Sequence, residues 1–377
     1  MTCLAEAAAD CKPISGWTHN FYRYPARFSP RFAAAAIECF SNPDDIVADP
    51  YMGGGTSIVE GVVAGRHVVG NDLNSLATFI TKVKITPLAN DEMTAIKYWA
   101  SKKVPGFSYH VPADELVAFI DETKTKNLSL VRARFIKKAV AAALASIANL
   151  PTSNAQDFAK CALLRVSQWA LDGRSRHTPL RDFRNKLAEM TAEMLEAAAS
   201  FAERIKRNGG RATLLNIDAA QLHNAPFFRK NRVGLIVTSP PYPGVHVLYH
   251  RWQVDGRRET PAPYWIAGCN DGQGASFYNF GDRRQAAADN YFRTSLATLH
   301  AIRAVMRSGG HVVQMVAFNK PAEQLPRYLE NMKEAGFGEV PVGDSRIWRQ
   351  VPQRKWHATF RGKTDSANEV VLVHRAV

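Results

Sequence analysis

Two kinds of hydrophobic spacing alternate along the chain. Residues 32–40 carry a helical pattern, and Asn42-Pro43-Asp44-Asp45 makes a turn before the short apolar run Ile46-Val47-Ala48. That run ends at Asp49-Pro50 and leads through Gly53-Gly54-Gly55-Thr56 into a helical stretch, 57–63, closed by Gly65-Arg66. His67-Val68-Val69-Gly70 is a second apolar run and ends at Asn71-Asp72. Strand, glycine turn, helix and strand in this order predict a β-α-β unit, and with it an open sheet of parallel strands.

From about residue 91 to residue 209 the pattern changes. Ala, Leu and Ile recur at helical spacing between Lys and Arg, as in 131–149 and 186–206, and strand signals are scarce. The segment 91–209 therefore reads as a mostly helical insert in an α/β unit made of 1–90 and 210–377. Strand-like runs resume with Ala212-Thr213-Leu214-Leu215-Asn216-Ile217-Asp218 and Gly234-Leu235-Ile236-Val237-Thr238. A helical pattern over 289–307 passes through Gly309-Gly310 into His311-Val312-Val313-Gln314-Met315-Val316, and Glu369-Val370-Val371-Leu372-Val373 supplies a last strand. The expected fold class is α/β, a mostly parallel sheet with a C-terminal antiparallel hairpin, plus the helical insert.

Charge changes this picture. The 377 residues hold 48 Lys+Arg against 34 Asp+Glu, a net +14, within an otherwise globular composition of 46% hydrophobic and 10% aromatic residues. Such a chain is too rich in aliphatics and aromatics to be disordered. Its charge favours a polyanionic partner, nucleic acid before an anionic membrane. Residues 101–210 hold 18 basic and 11 acidic side chains, half of the whole excess. The longest apolar run, 139–150, is short and Ala-rich, so no membrane span is expected. No basic stretch leads into an apolar one at the N-terminus, and the five cysteines are scattered without a C-x-x-C pair. We therefore expect no metal site, no disulfide framework and a reducing, cytoplasmic location.

Glycines at the end of a first parallel strand leave no Cβ in the way of a ligand, and an acidic residue ending the second strand can accept from two ribose hydroxyls. Asp72 lies 23 positions after Asp49, close to the roughly 20 of that geometry. A P-loop needs Gly-Lys-Ser/Thr, but Thr56-Ser57 follows Gly55. A dinucleotide fingerprint, as in a nicotinamide-dependent dehydrogenase, needs a third glycine where Ile58 stands. A glycine turn with no ligand satisfies the same letters.

Asp49-Pro50-Tyr51-Met52-Gly53-Gly54-Gly55-Thr56 resembles the S-adenosylmethionine-binding motif of the DNA amino-methyltransferases, usually Asp-Pro-Phe-x-Gly-x-Gly-Thr. Tyr24-Pro25-Ala26-Arg27-Phe28-Ser29-Pro30 resembles the segment that closes over the methionine part of the cofactor. The resemblance implies a Rossmann-like methyltransferase fold with S-adenosylmethionine as cofactor. It places Asp49 and Gly53 at the methionine end, Asp72 at the ribose and Asp218 at the adenine amino group. Phe28, Tyr51, Met52, Gly55, Thr56 and Leu73 complete the cofactor-binding set.

Thr238-Ser239-Pro240-Pro241-Tyr242 follows directly on an apolar strand, where open α/β sheets place their sites. Paired prolines stiffen the backbone and leave carbonyl acceptors without N–H donors. Such acceptors suit methyl transfer to an exocyclic amino group, whose lone pair is delocalised into its ring. The Ser239 hydroxyl and Pro240 carbonyl would hold the two amino hydrogens, Pro241 would fix the loop, and Tyr242 would stack on an extruded base. A rigid strand-ending turn is the plainer reading of these letters. The segment resembles the catalytic motif of the same family, in which serine at the first position is typical of cytosine-N4 enzymes and Asp or Asn of adenine-N6 enzymes. No cysteine lies in or beside 239–242, which counts against the covalent C5 route. The resemblance covers roughly 19–90 and 212–320.

Two segments compete to read the nucleic acid. One is the basic turn Asp172-Gly173-Arg174-Ser175-Arg176-His177 of the insert. The other runs from Gly244 through His246, Tyr249, Arg251 and Trp252, with aromatics continuing to about residue 280. A basic, aromatic cluster from Arg346 to Lys363, with Trp348 and Trp356, is a further contact or simply an exposed edge. The insert lies where the family's recognition region is not expected, so its role is inferred from charge. The reading is thus a sequence-specific DNA methyltransferase acting on cytosine N4 after base flipping. Its partners would be double-stranded DNA and, in a restriction-modification pair, a cognate restriction endonuclease, with monomer and dimer both open. Adenine N6 or RNA as target, and a non-catalytic cofactor-binding subunit, are the alternatives.

Overall fold

Val47 and Ala48 are both fully buried although they point to opposite faces, which is the environment of a parallel strand covered by helices on both sides. They belong to β1 (Ile46–Asp49), the centre of the sheet. The computed structural model describes residues 2–10, 15–24, 27–108, 116–130, 133–174, 176–243, 251–254, 256, 258–270, 285–342, 346–350 and 368–377.

Helices α1 (Thr2–Ala9) and α2 (Pro30–Phe40) precede β1, and α3 (Thr56–Val63) connects it to β2 (His67–Asn71). Helix α2 starts where the pattern asks it to, with Pro30 in its first turn and the Ser29 hydroxyl accepting from the Arg31 amide at 3.2 Å. Helix α4 (Ser75–Ile85) is capped in the same way by Asn74, whose side-chain oxygen accepts from the Leu76 amide at 3.0 Å. The described helices that follow are α5 (Asn90–Tyr98), α6 (Arg134–Ile147), α7 (Ser153–Leu171) and α8 (Leu180–Asn208), before β3 (Arg211–Leu215).

The remaining sheet strands are β4 (Val233–Thr238), β7 (Met306–Ala317), β8 (Phe337–Glu339), β9 (Ile347–Gln350) and β10 (Asn368–Ala376). A separate two-stranded hairpin, β5 (Trp252–Val254) with β6 (Arg258–Thr260), leads into α9 (Ala262–Ala267). Helix α10 (Gln285–Val305) precedes β7, and α11 (Pro321–Glu334) follows it. The sheet order is β3-β2-β1-β4-β7-β10-β8, with β9 also pairing β10. The first five are parallel neighbours, and β10 runs antiparallel to β7, β8 and β9. This is the Rossmann-like methyltransferase sheet. The chain steps outward from β1 through β2 to β3 and then crosses back to β4 on the other side of β1, so the carboxyl ends of β1 and β4 flank the switch point, where such sheets bind ligands.

Alternate strand residues divide the two faces. Val47, Val68, Leu235 and Val313 pack with α1, α2 and α3, whereas Ala48, Val69, Ile236 and Val312 pack with α10 and α11. A third apolar cluster joins the helices between α4 and β3 to α4 itself, to Tyr22 and Tyr24, and to Trp252, Tyr264 and Trp265.

Three details depart from the expected elements. Strand β7 begins at Met306, five positions before His311, because the chain pairs with β4 across an irregularity that Gly309 accommodates at φ +74°. Strand β10 lies inside the sheet, between β7 and β8, and residues 347–350 form a strand against it. The hairpin β5–β6 carries too few residues to show a period. Of the Arg346–Lys363 cluster, residues beyond Gln350 lie outside the described part.

Gly55 ends the loop after β1 at φ +73°, and a Cβ there would stand 2.5 Å from Thr81 Oγ1 of α4. Gly55→Ala should therefore lower stability by about 1–3 kcal/mol, from left-handed backbone and steric clash together. Gly106→Ala, with ordinary φ and nothing within 4 Å, serves as the control. Urea unfolding of the two variants checks this, with a loss only at Gly55 expected.

Candidate active site

The carboxylate of Asp49, at the end of β1, is buried and satisfied entirely by the protein. Its Oδ1 accepts from the Tyr51 amide at 3.0 Å and the Thr238 hydroxyl at 2.6 Å, and its Oδ2 accepts from the Ser57 hydroxyl. Burial raises its pKa to about 6 despite these donors. One side chain thus ties together the glycine loop, the first turn of α3 and the carboxyl end of β4.

Around the loop, Asp72 is half-buried. Its Oδ2 accepts from the Gly53 amide and its Oδ1 from the Asn74 amide, both at 2.8 Å. Burial raises this pKa too, to about 6. Asn71 binds Pro50 O and Ile217 O through its amide nitrogen at 3.2 and 3.1 Å, and accepts from the Ile217 amide at 3.2 Å. Asn216 donates to the carbonyls of Asp72 and Leu73. These asparagines hold three loops in register. Asp218 is exposed, and its Oδ1 caps the Ala220 amide at 2.9 Å.

The Tyr24 ring lies against Gly53 and Gly54, where a Cβ on Gly54 would approach Tyr24 Cβ to 2.7 Å. Phe28 packs edge-on to Phe32 at 5.5 Å and shares a buried cluster with Met52. Beneath the loop the Lys84 amine donates to Gly54 O at 2.6 Å, and burial with Arg27 nearby pushes its pKa down to about 7. Thr56 is buried at the start of α3, and its hydroxyl has no hydrogen-bond partner. The ring of Tyr51 is half-buried, and its hydroxyl pKa is raised well above the usual tyrosine value by burial.

Beside this loop, Ser239 begins a chain of hydrogen bonds. Ser239 Oγ lies 3.0 Å from Tyr242 Oη, and Tyr242 Oη donates to Glu369 Oε1 at 3.0 Å. The other Glu369 oxygen meets the Arg349 guanidinium at 2.6 Å. Tyr291 Oη donates to Pro241 O at 2.8 Å, so that carbonyl is occupied. Tyr242 is buried, its ring in the core with Tyr291 and Val316. The expected stacking of Tyr242 on a base does not match this placement, since its ring faces neighbours and its hydroxyl serves Ser239.

The family described as "DNA methylase" matches residues 9–82, which contain the Tyr24–Phe28 segment, the glycine loop and Asp72. Over these residues the chain is similar to the DNA amino-methyltransferases. It is 28% identical to Type II methyltransferase M.MvaI of Kocuria varians over 255 residues, 60% of this chain and 53% of that protein. It is 27% identical to Type II methyltransferase M.MjaII of Methanocaldococcus jannaschii over 104 residues, 28% of this chain and 20% of that one. The chain thus spans about half the length of the first relative and a fifth of the second. Among solved structures it is similar to the rRNA methyltransferase AviRa of Streptomyces viridochromogenes (10% identity, TM-score 0.37, 94% of this chain and 89% of that one). It is also similar to TrmN of Thermus thermophilus (13%, 0.32, 93% and 49%). Scores this low carry no weight for function, and the fold rests on the strand order.

The cofactor of this family, S-adenosylmethionine, fits the residues present. Asp72 has accepted two amide hydrogens and retains lone pairs for hydroxyl donors. Asp218 is open at its second oxygen, and the buried Thr56 hydroxyl awaits a partner beside Gly53 and Gly55.

Of the candidate nucleic-acid residues, Arg174 and Arg176 follow α7, and Arg174 lies over the Trp169 ring at 4.6 Å. Arg251 is half-buried near Glu259, at 3.8 Å. Trp252 is a correction: it is 2% exposed and donates its indole N–H to Tyr22 Oη at 3.0 Å, so it packs rather than faces a ligand. His246, Tyr249 and Ser175 lie outside the described residues, as do Pro25 and Ala26. Glu369 and Arg349 were not anticipated. The available signal was an acidic residue opening an otherwise apolar strand.

Cofactor affinity should follow the Asp72 charge. Ribose hydroxyls placed at Asp72 would donate to its ionised form, so calorimetry should show binding weakening as pH falls through about 6. Asp72→Asn should weaken it by roughly 10–100-fold at pH 7.5, the loss of charge-assisted hydrogen bonds, and flatten that pH dependence. The stability term has the opposite sense. Both Asp49 and Asp72 are raised from 3.8, so their contribution to folding is full below that value and is lost as pH rises through about 6.

Proposed function

We propose that the chain transfers a methyl group from S-adenosylmethionine to the N4 amino group of a cytosine turned out of duplex DNA. The observation that carries this reading is the Thr238–Asp49 hydrogen bond at 2.6 Å, which locks the Ser-Pro-Pro-Tyr turn beside the cofactor loop. When bound, S-adenosylmethionine supplies an electrophilic sulfonium methyl.

The residues at 239–242 set the direction of the hydrogen bonds. Glu369, held by Arg349, can only accept, so Tyr242 must donate its one proton to it. The Ser239 hydroxyl must then donate to Tyr242, which leaves the Ser239 lone pairs as acceptors. An amino group placed there gives one hydrogen to Ser239 Oγ and the other to Pro240 O, which turns its lone pair away from the ring toward the donor. No covalent intermediate is needed. Serine at this position, where the adenine-N6 enzymes of the family typically carry Asp or Asn, supports cytosine. Because Ser239 is half-buried at the strand ends, the base must leave its stack to reach it.

Nucleoside mass spectrometry on duplex DNA and on RNA incubated with the protein and cofactor tests the assignment. N4-methylcytosine in DNA is expected. N6-methyladenine alone would move the target, methylated RNA alone would move the substrate, and no product would leave a non-catalytic subunit.

Ser239→Ala should lower kcat by roughly 100-fold with cofactor affinity unchanged, as removal of one positioned polar group at a reacting centre does. Tyr242→Phe and Glu369→Gln should each lower kcat by roughly tenfold. Because both act through Ser239, the double variant should lose little more than either alone. Additive losses would sink the polarity relay. The phenylalanine variant is the gentler test, since Glu369→Gln also leaves Arg349 without its charge partner.

A further inference from the structure

A cleft of about 680 Å³ runs between α7, α8 and the segment leading into the glycine loop. That volume falls within the ~300–1,000 Å³ of ligand-sized clefts. Arg23, Arg27, Arg165 and Lys186 line it against one carboxylate, Glu193, with Trp169 among them. Lys186 pairs with Glu189 at 2.7 Å. Among the described residues, none of the three arginines has a carboxylate within ion-pair distance. Arg27 donates to the carbonyls of His19 and Tyr22, and the buried Nε of Arg165 has no hydrogen-bond partner. Burial, and then repulsion from Arg165 and Arg23, holds Arg27 down at about 10, and Arg165 is lowered by burial and by Arg23.

Three guanidinium groups gathered around the single carboxylate of Glu193 repel one another, and a bound anion reduces that repulsion. Guanidinium forks match phosphate oxygens, and an indole among them suits a sugar or an unstacked base. The cleft is also joined to the hairpin that follows the Ser-Pro-Pro-Tyr motif in the chain. Arg174 lies over Trp169 and donates to its carbonyl at 2.8 Å, while the Gly173 amide donates to Gln253 O at 2.8 Å. The basic turn and the strand after the Ser-Pro-Pro-Tyr motif, two candidates kept apart by the sequence, therefore meet at one rim.

We propose that this cleft binds backbone phosphates of duplex DNA through Arg23, Arg27 and Arg165, beside Trp169. The proposal rests on the reading of the chain as a DNA methyltransferase and adds residues on both sides of a groove.

Fluorescence anisotropy of a labelled DNA duplex, titrated at several salt concentrations, tests it. Arg23→Gln/Arg165→Gln should weaken binding by roughly tenfold or more, and should flatten the slope of log affinity against log salt by about 1.8, two phosphate contacts' worth. Lys206→Gln/Arg207→Gln removes the same charge from exposed positions near the far end of α8, about 30 Å from Lys186. It should do much less. Thermal unfolding and cofactor calorimetry check that the variants are folded. The single Arg23→Gln change, at an exposed side chain, gives a smaller shift of the same sign if the double variant is not. Affinity and slope equal to wild type, or losses matched by the Lys206/Arg207 control, would overturn the cleft while leaving the methyltransferase reading intact. A wild-type protein that binds neither DNA nor RNA would overturn both. Binding of RNA in place of DNA would overturn the choice of ligand.

Discussion

The buried carboxylate of Asp49 is the point on which the site depends. Taking a carboxylate out of water costs several kcal/mol, and here three protein donors offset part of that cost. Each donor belongs to a different piece: the glycine loop, the first helix after it, and the end of the neighbouring strand. Backbone pairing between β1 and β4 aligns the strands but does not fix how the chain leaves them. Asp49 does. The glycine loop and the Ser-Pro-Pro-Tyr turn can then be shaped separately by their own prolines and glycines and still be held together.

The parts legible in the sequence were those that physics makes repetitive. Buried parallel strands read as apolar runs, so 46–48, 67–70 and 234–238 stood out, as did the glycine turn between the first two. The helices between α4 and β3 were legible from Ala/Leu spacing. Illegible were elements too short to show a period, such as β5, β6 and β9. Partners far apart in the chain were hidden too. Nothing near Ser239 announces Glu369, 130 positions on, and nothing near Arg349 announces its carboxylate. Trp252 shows the opposite error: aromatic and basic neighbours suggested a surface, but its indole N–H had a buried hydroxyl to meet.

The helical segment is not an appendage with its own core. Its apolar residues merge with α4, with Tyr22 and Tyr24, and with the chain around 252–267. Asn74 shows how closely the parts are joined. It caps α4, accepts from Tyr264 Oη at 2.9 Å, and reaches Tyr24 Oη at 3.4 Å. The residue that follows the Asp72 turn thereby connects the segment before the glycine motif to the segment after the Ser-Pro-Pro-Tyr turn.

Strand direction explains why Glu369 can serve Ser239 at all. Parallel strands begin at the edge of the sheet opposite the site, so a side chain at the start of a sixth parallel strand would lie far from the turn after β4. Strand β10 runs the other way, and its second residue, Glu369, pairs with Ala317 at the carboxyl end of β7. Its first turn of chain therefore stands at the same edge as Thr238 and Ser239. On the other flank β9 brings Arg349 into register with Glu369. The reversed strand completes the sheet and, by its direction alone, delivers a carboxylate to the Tyr242 hydroxyl, which in turn meets Ser239.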